Sequence, residues 1–216
     1  MVYPTSYFPP VHLLGLQLMD PSLVIEQHEH FIKQTHRSRC TVLGPNGPMT
    51  LSVPVHWRSK TSIHEVRIDH SCDWVRDHER TLISGYNSAP YFEHYIDDIR
   101  SIWSTKHEYL IDLNRSTWSF FCTQLQYTDS YERSTAFQPY SEHDIRTASS
   151  TPSLPTYRQV FQERFGFVNG LSALDLIFNL GKESILYIEH ELNPSLRPMF
   201  TIFDSNQARI NEHNDN

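Results

Sequence analysis

A chain of 216 residues is long for one domain and short for two, so a single core is expected, with a small appended subdomain as the variant. Phe, Tyr and Trp are spread along most of the length, which excludes a chain disordered throughout, and 25 acidic against 18 basic residues leave no chain-wide electrostatic footprint for nucleic acid. Three cysteines, Cys40, Cys72 and Cys122, have no CxxC spacing, which speaks against a disulfide framework or a zinc ribbon and for a reducing compartment.

The first residues read as a short strand ending near Ser6, followed by a Tyr7-Phe8-Pro9-Pro10 loop that places Pro10 in the first turn of a helix. Leu13, Leu14, Leu16 and Leu18 give that helix its apolar surface, Asp20-Pro21 stops it, and Leu23-Val24-Ile25 begins a buried strand. Residues 39–43 and 49–55 form a hairpin signal around Gly44-Pro45-Asn46-Gly47-Pro48, the second run alternating Met49, Leu51, Val53 and Val55. Val66 and Ile68 mark one more short strand.

From Asp73 the period becomes helical, with Val75, His78, Leu82 and Tyr86 on one face and Gly85 near the end. A second helix is expected to take Ser88 as its cap and Pro90 in its first turn, and to bury Phe92, Tyr95, Ile96, Ile99, Ile102 and Trp103. A third, over about 108–125, buries Leu110, Leu113, Thr117, Phe121 and Leu125. Residues 127–156 are rich in Ser, Thr and Pro and read as a long crossing loop. Tyr157, Val160, Phe161 and Phe165 mark a short helix, and Leu171-Ser172-Ala173-Leu174-Asp175-Leu176 reads as a capping box with a hydrophobic staple, closed by Gly181. The box accounts for Asp175 through the free N–H groups of a helix start.

The expected fold is α/β, with α+β as the variant: a small mixed sheet in the N-terminal third, then a largely helical part, in one domain over 1–190 with a polar, fraying tail over 191–216. No leader opens the sequence and no apolar run is long enough for a membrane span, so a cytoplasmic protein without membrane insertion is expected.

Polar chemistry concentrates in residues 26–39, where two acids, three histidines and three cations follow a buried strand. In open α/β sheets ligands bind beyond the carboxyl ends of strands, so this segment has the right position. Lys33, Arg37 and Arg39 suit an anionic small molecule or sugar nucleotide, unless they pair with Glu26 and Glu29 on a solvated edge. Glu26, His28 and Glu29 are the candidate proton acceptors, and Tyr7 and Gln34 would orient an acceptor substrate. His28 and His30 have metal-ligand types, but no second cluster completes a site, so no metal is assigned and no cofactor is named. His78 titrates in a useful range but sits on an apolar stripe, where a hydrogen-bonded core role competes with substrate binding. Cys40 reads as an inert, half-buried thiol.

Several blocks occur in a telling order: Tyr7-Phe8-Pro9-Pro10, Glu26-Gln27-His28-Glu29, Lys33-Gln34 with Arg37 and Arg39, Leu51-x-Val53-Pro54-Val55, Asp73-Trp74 with His78, Tyr86, Ala89-Pro90-Tyr91-Phe92-Glu93, Gln159-Val160-Phe161, Gly166-Phe167, and Leu171-Ser172-Ala173-Leu174-Asp175-Leu176-Ile177-Phe178-Asn179-x-Gly181. In this order the chain resembles WbqC-like proteins over most of its length. The resemblance implies a role in O-antigen or other surface-polysaccharide biosynthesis, with transfer of glycine or another aminoacyl or acyl group to a sugar. A sugar-nucleotide or partner-binding module without turnover is the competing expectation. Thr5-Ser6 replaces the family's frequent Gln-Pro, and Ser38 a frequent Asn, which points to a different substrate if those side chains touch it.

Overall fold

The computed structural model describes residues 1–140, 144–146 and 151–196. Strand β1 (Val2–Pro4) enters helix α1 (Val11–Met19) and returns as β2 (Val24–Glu26), parallel to β1 with Pro4 opposite Glu26. A third parallel strand, β7 (Glu132–Arg133), joins the other side of β2 from more than a hundred residues away. Between them come the antiparallel hairpin β3 (Arg39–Gly44) and β4 (Gly47–Ser52), and the short antiparallel pair β5 (Val55–His56) and β6 (Arg67–Ile68). Helices α2 (Trp74–Tyr86), α3 (Phe92–Ser104), α4 (Leu110–Leu125), α5 (Gln162–Phe165) and α6 (Ala173–Leu180) make up the expected largely helical part, interrupted only by β7 in the segment read from the sequence as a loop.

Val11 to Gln17 are buried on every face of α1, because β1, α6 and the C-terminal segment pack around it. At Gly15 a Cβ would lie 2.6 Å from Leu192, which with Leu196 is fully buried. Ordered structure therefore continues through Leu196; the rest of the polar tail lies outside the described residues.

Local departures have local causes. Pro10 caps α1 rather than entering its first turn. The run 49–55 divides because Val53 donates its N–H to Ser38 O and Pro54 has none to offer, so Val55 pairs in a new ladder. Helix α3 starts at Phe92, not near Ser88, since Tyr91 N–H is drawn to Phe178 O of α6. Ser172 does cap α6, accepting Leu174 N–H at 3.2 Å. The Asp175 carboxylate does not complete the box; it accepts from Tyr86 Oη at 2.9 Å, Tyr157 Oη at 2.7 Å and Gln159 Nε2 at 3.0 Å. Gly85 lies inside α2, where a Cβ would stand 2.4 Å from Leu43 O, so the helix and the hairpin approach backbone to backbone there.

Candidate functional site at the carboxyl edge of the parallel sheet

The carboxyl ends of β1, β2 and β7 lead into Thr5, Gln27 and Ser134, and the polar segment after β2 runs out between the other two. Glu26 is fully buried. Its Oε1 accepts His28 N–H at 2.7 Å and Ser134 Oγ–H at 2.8 Å, its Oε2 accepts Gln138 N–H at 2.7 Å, and Arg146 Nη1 stands 3.6 Å away. Those donors replace the water lost on burial. Glu29 is equally enclosed: Arg37 Nε donates to Oε1 at 2.7 Å, Arg37 Nη2 lies 2.6 Å from the same oxygen, and Tyr140 Oη donates to Oε2 at 3.3 Å.

The cover over both acids comes from residues 134–140 and 144–146. Arg146 is buried against Asp144, donates to the carbonyls of Gln138 and Pro139, and lays its guanidinium 4.5 Å from the Tyr140 ring centroid. The described part of the 127–156 segment thus crosses the sheet edge and supplies groups to it. Ser134, Tyr140 and Arg146 were not found from sequence, since a stretch with no period gives no signal of which side chains turn inward.

His28 is placed differently from the two acids. It is half-buried, and its Nε2 lies 3.2 Å from Ser134 O, which as a carbonyl only accepts. The ring proton therefore belongs on Nε2, and in the neutral ring Nδ1 keeps the lone pair. His64, whose ring centroid is 5.1 Å from that of His28, repeats the device in mirror form: Nδ1 donates to Gln27 O at 2.7 Å, leaving Nε2 as the acceptor. Two imidazoles side by side thus each offer one unprotonated nitrogen. Among the described residues no group of three or more metal-ligating side chains occurs here or elsewhere.

The three cations expected to gather do not share a partner. Arg37 is buried on Glu29 as a counter-ion, Arg39 donates from β3 to Ser52 Oγ at 3.3 Å, and Lys33 is exposed with Nζ 5.8 Å from the Trp57 ring centroid. Gln34 is exposed in a left-handed conformation at φ 63°.

Tyr7 and His78 sit in the core. Trp103 Nε1 donates to Tyr7 Oη at 2.9 Å, Tyr7 Oη bonds His78 Nδ1 at 3.0 Å, and His78 Nε2 bonds Ser52 O at 3.3 Å. Because that carbonyl only accepts, the three donors run in one direction and every group is satisfied. Burial holds the His78 pKa down at about 4, so the ring is neutral at pH 7. Phe8 beside them has φ 40°, a strained value for a non-glycine residue, and is wedged edge-on against Trp103 and Phe121. Burial also raises the Cys40 thiol pKa, so it is inert.

A cavity of about 450 Å³ opens elsewhere, between the first turn of α2 and the end of α3, and none of the candidate proton acceptors or substrate-binding residues named from the sequence lines it. Trp74 and Trp103, however, stand both in its wall and against His78.

No helix among the described residues is long and apolar enough to cross a membrane. No solved structure matches the chain significantly. An uncharacterized protein of Mycobacterium tuberculosis (strain ATCC 25618 / H37Rv), Rv1507c, is 24% identical, over 86% of this chain and 95% of its own length. The sequence profile of the WbqC-like protein family matches residues 5–147, which take in β2, β7 and every residue of the sheet-edge network, and the chain therefore belongs to the WbqC-like protein family.

Proposed function

We propose that the chain is a transferase of surface-polysaccharide biosynthesis that joins glycine or another aminoacyl or acyl group to a sugar, with His28 as its proton acceptor. The observation that carries this reading is the hydrogen bond from His28 Nε2 to Ser134 O, which leaves Nδ1 unprotonated at the carboxyl edge of a parallel sheet. An acceptor amine or hydroxyl must lose a proton as it attacks an acyl carbonyl, and His28 is the member of the Glu26, His28, Glu29 set that still reaches solvent. Glu26 takes a positioning role, since one of its oxygens holds both the His28 backbone and the Ser134 hydroxyl. Lys33, exposed on the loop that follows, is assigned to an anionic donor, and the equally exposed Gln34 beside it to orienting the acceptor. Three free cysteines fit a reducing, cytoplasmic setting for this reaction.

The burial of Glu26 and Glu29 favours a second reading, a module that binds a sugar nucleotide without turnover, because neither acid is free to take a proton. One experiment separates the two. Wild type and His28→Asn are incubated with amino-sugar nucleotides and a panel of glycyl, aminoacyl and acyl donors, with products followed by mass spectrometry and binding by thermal shift. The transferase reading expects a loss of turnover of roughly 10²–10⁴-fold in His28→Asn with the thermal shift retained. Ligand-induced stabilisation of the wild type with no product from any donor would establish the binding module instead.

A further inference from the structure

The cavity beside α2 is separate from the sheet edge. Its lining includes two indoles, Trp74 and Trp103, with the aliphatic Ile68, Val75 and Leu113, and the polar side chains of His70, Cys72, Lys106 and His107. A volume of about 450 Å³ falls within the range of small-molecule sites, and the wall is divided between apolar and polar side chains.

The two rims are tied together. His70 Nε2 donates to His107 O at 2.9 Å, joining the loop before α2 to the turn between α3 and α4, and His107 Nε2 bonds Ser116 Oγ at 3.3 Å. The protein's own bonds thus hold the two sides of the opening together, which lowers the ordering cost of binding. Lys106 is exposed and forms no ion pair among the described residues, so its charge is open to an anion. The first turn of the 13-residue α2 lies on the same side, where Asp77 in that turn offsets part of the helix dipole. Asp73, the acid in the lining, has Oδ1 turned to Arg76 N–H at 3.4 Å as the helix cap. Hydroxyls of Ser71, Ser104 and Thr105 complete the polar part.

We infer that this cavity binds a phosphorylated sugar, with the sugar ring against the indoles and the phosphate on Lys106 at the start of α2. Both a free sugar phosphate and the ribose phosphate of a nucleotide carry that chemistry. The inference is independent of the transferase reading, because the cavity and the sheet edge have no residue in common.

Cys72 supplies the probe. It is exposed, whereas Cys40 and Cys122 are buried, so alkylation by iodoacetamide reports on the cavity. The full chain is labelled in the presence of ribose 5-phosphate, uridine monophosphate, glucose or inorganic phosphate at millimolar concentration, with the labelled residue identified by mass spectrometry and tryptophan emission followed in parallel. The expected result is protection of Cys72 and a change in emission with either phosphorylated sugar, and neither effect with glucose or inorganic phosphate. Lys106→Ala should weaken that protection by about tenfold at an unchanged melting temperature, with recovery in Lys106→Arg. The better protector of the two identifies the source as nucleotide or sugar phosphate. Absence of protection, equal protection by glucose or inorganic phosphate, or protection indifferent to Lys106→Ala would overturn the assignment.

Discussion

Arg37 presents Nε and Nη2 to a single oxygen of Glu29, at 2.7 and 2.6 Å, with both side chains closed off from solvent. Two sites eight residues apart in the chain are thereby locked at the sheet edge, and the chemistry of the pair is that of a buried bridge whose halves depend on each other.

Removing one half should be costly. Arg37→Met or Glu29→Leu is expected to lower the unfolding free energy by about 3–5 kcal/mol, because the surviving partner stays buried without its counter-charge. The double replacement by apolar residues should recover most of the loss. Urea unfolding of the four proteins checks this; equal and additive losses would show that the pair is not coupled.

The Trp103, Tyr7, His78 relay makes a prediction about protons. Tyr7→Phe leaves a buried indole N–H and a buried imidazole nitrogen without partners, at an expected cost of about 1–3 kcal/mol for each group. In the wild type His78 has its pKa depressed to about 4 by burial, below the unfolded value of 6.5. The unfolded chain therefore binds more protons in that window, and this group's contribution to stability is whole above pH 6.5 and lost as pH falls towards 4. Nitrogen-15 spectra should show the Nε2–H tautomer of His78 persisting at pH 5.5.

Asp175 works with the opposite sign. Burial raises its pKa to about 6, with the bonds from Tyr157, Tyr86 and Gln159 opposing the rise. The folded chain then holds a proton that the unfolded chain releases near 3.8, so this contribution is whole below pH 3.8 and disappears as pH rises through 6. The penalty of Asp175→Asn, measured by urea unfolding, should be larger at pH 4.5 than at pH 7, by on the order of 2 kcal/mol.

Gly85→Ala should break the contact between α2 and the hairpin, since the new methyl would meet Leu43 O at 2.4 Å and backbone has little room to yield. A destabilisation of about 1–3 kcal/mol in thermal unfolding is expected, despite alanine's better helix propensity. A rise in melting temperature would mean that helix and hairpin separate easily.

The order of elements was legible because apolar period and turn residues are local: the stripe of Phe92, Tyr95, Ile96, Ile99 and Trp103 is buried as read, and Gly181 ends α6. Glu26, His28 and Glu29 were legible as a polar cluster, but their partners were not. Ser134, Gln138, Tyr140 and Arg146 reach them across more than a hundred residues, and nothing in a Ser-, Thr- and Pro-rich stretch marks which members fold inward. Arg37 takes the alternative that the sequence leaves open, pairing with Glu29, but in the interior and not on a solvated edge, since one sequence does not say how deeply such a pair is covered. Asp175 shows the limit of motif logic: the box pattern was present, yet two tyrosines from other elements had the stronger claim on its carboxylate.

Pairing Ile25 with Arg133 also has a temporal side. A nascent chain that has released its first 130 residues can assemble hairpin and helices, yet Glu26 and Glu29 wait uncovered until the stretch after β7 leaves the ribosome, because such long-range pairing is slow to close. Completion of the sheet edge is thus a late event of biogenesis, and a protease cut within 134–140 would return a matured molecule to that earlier, unfinished condition.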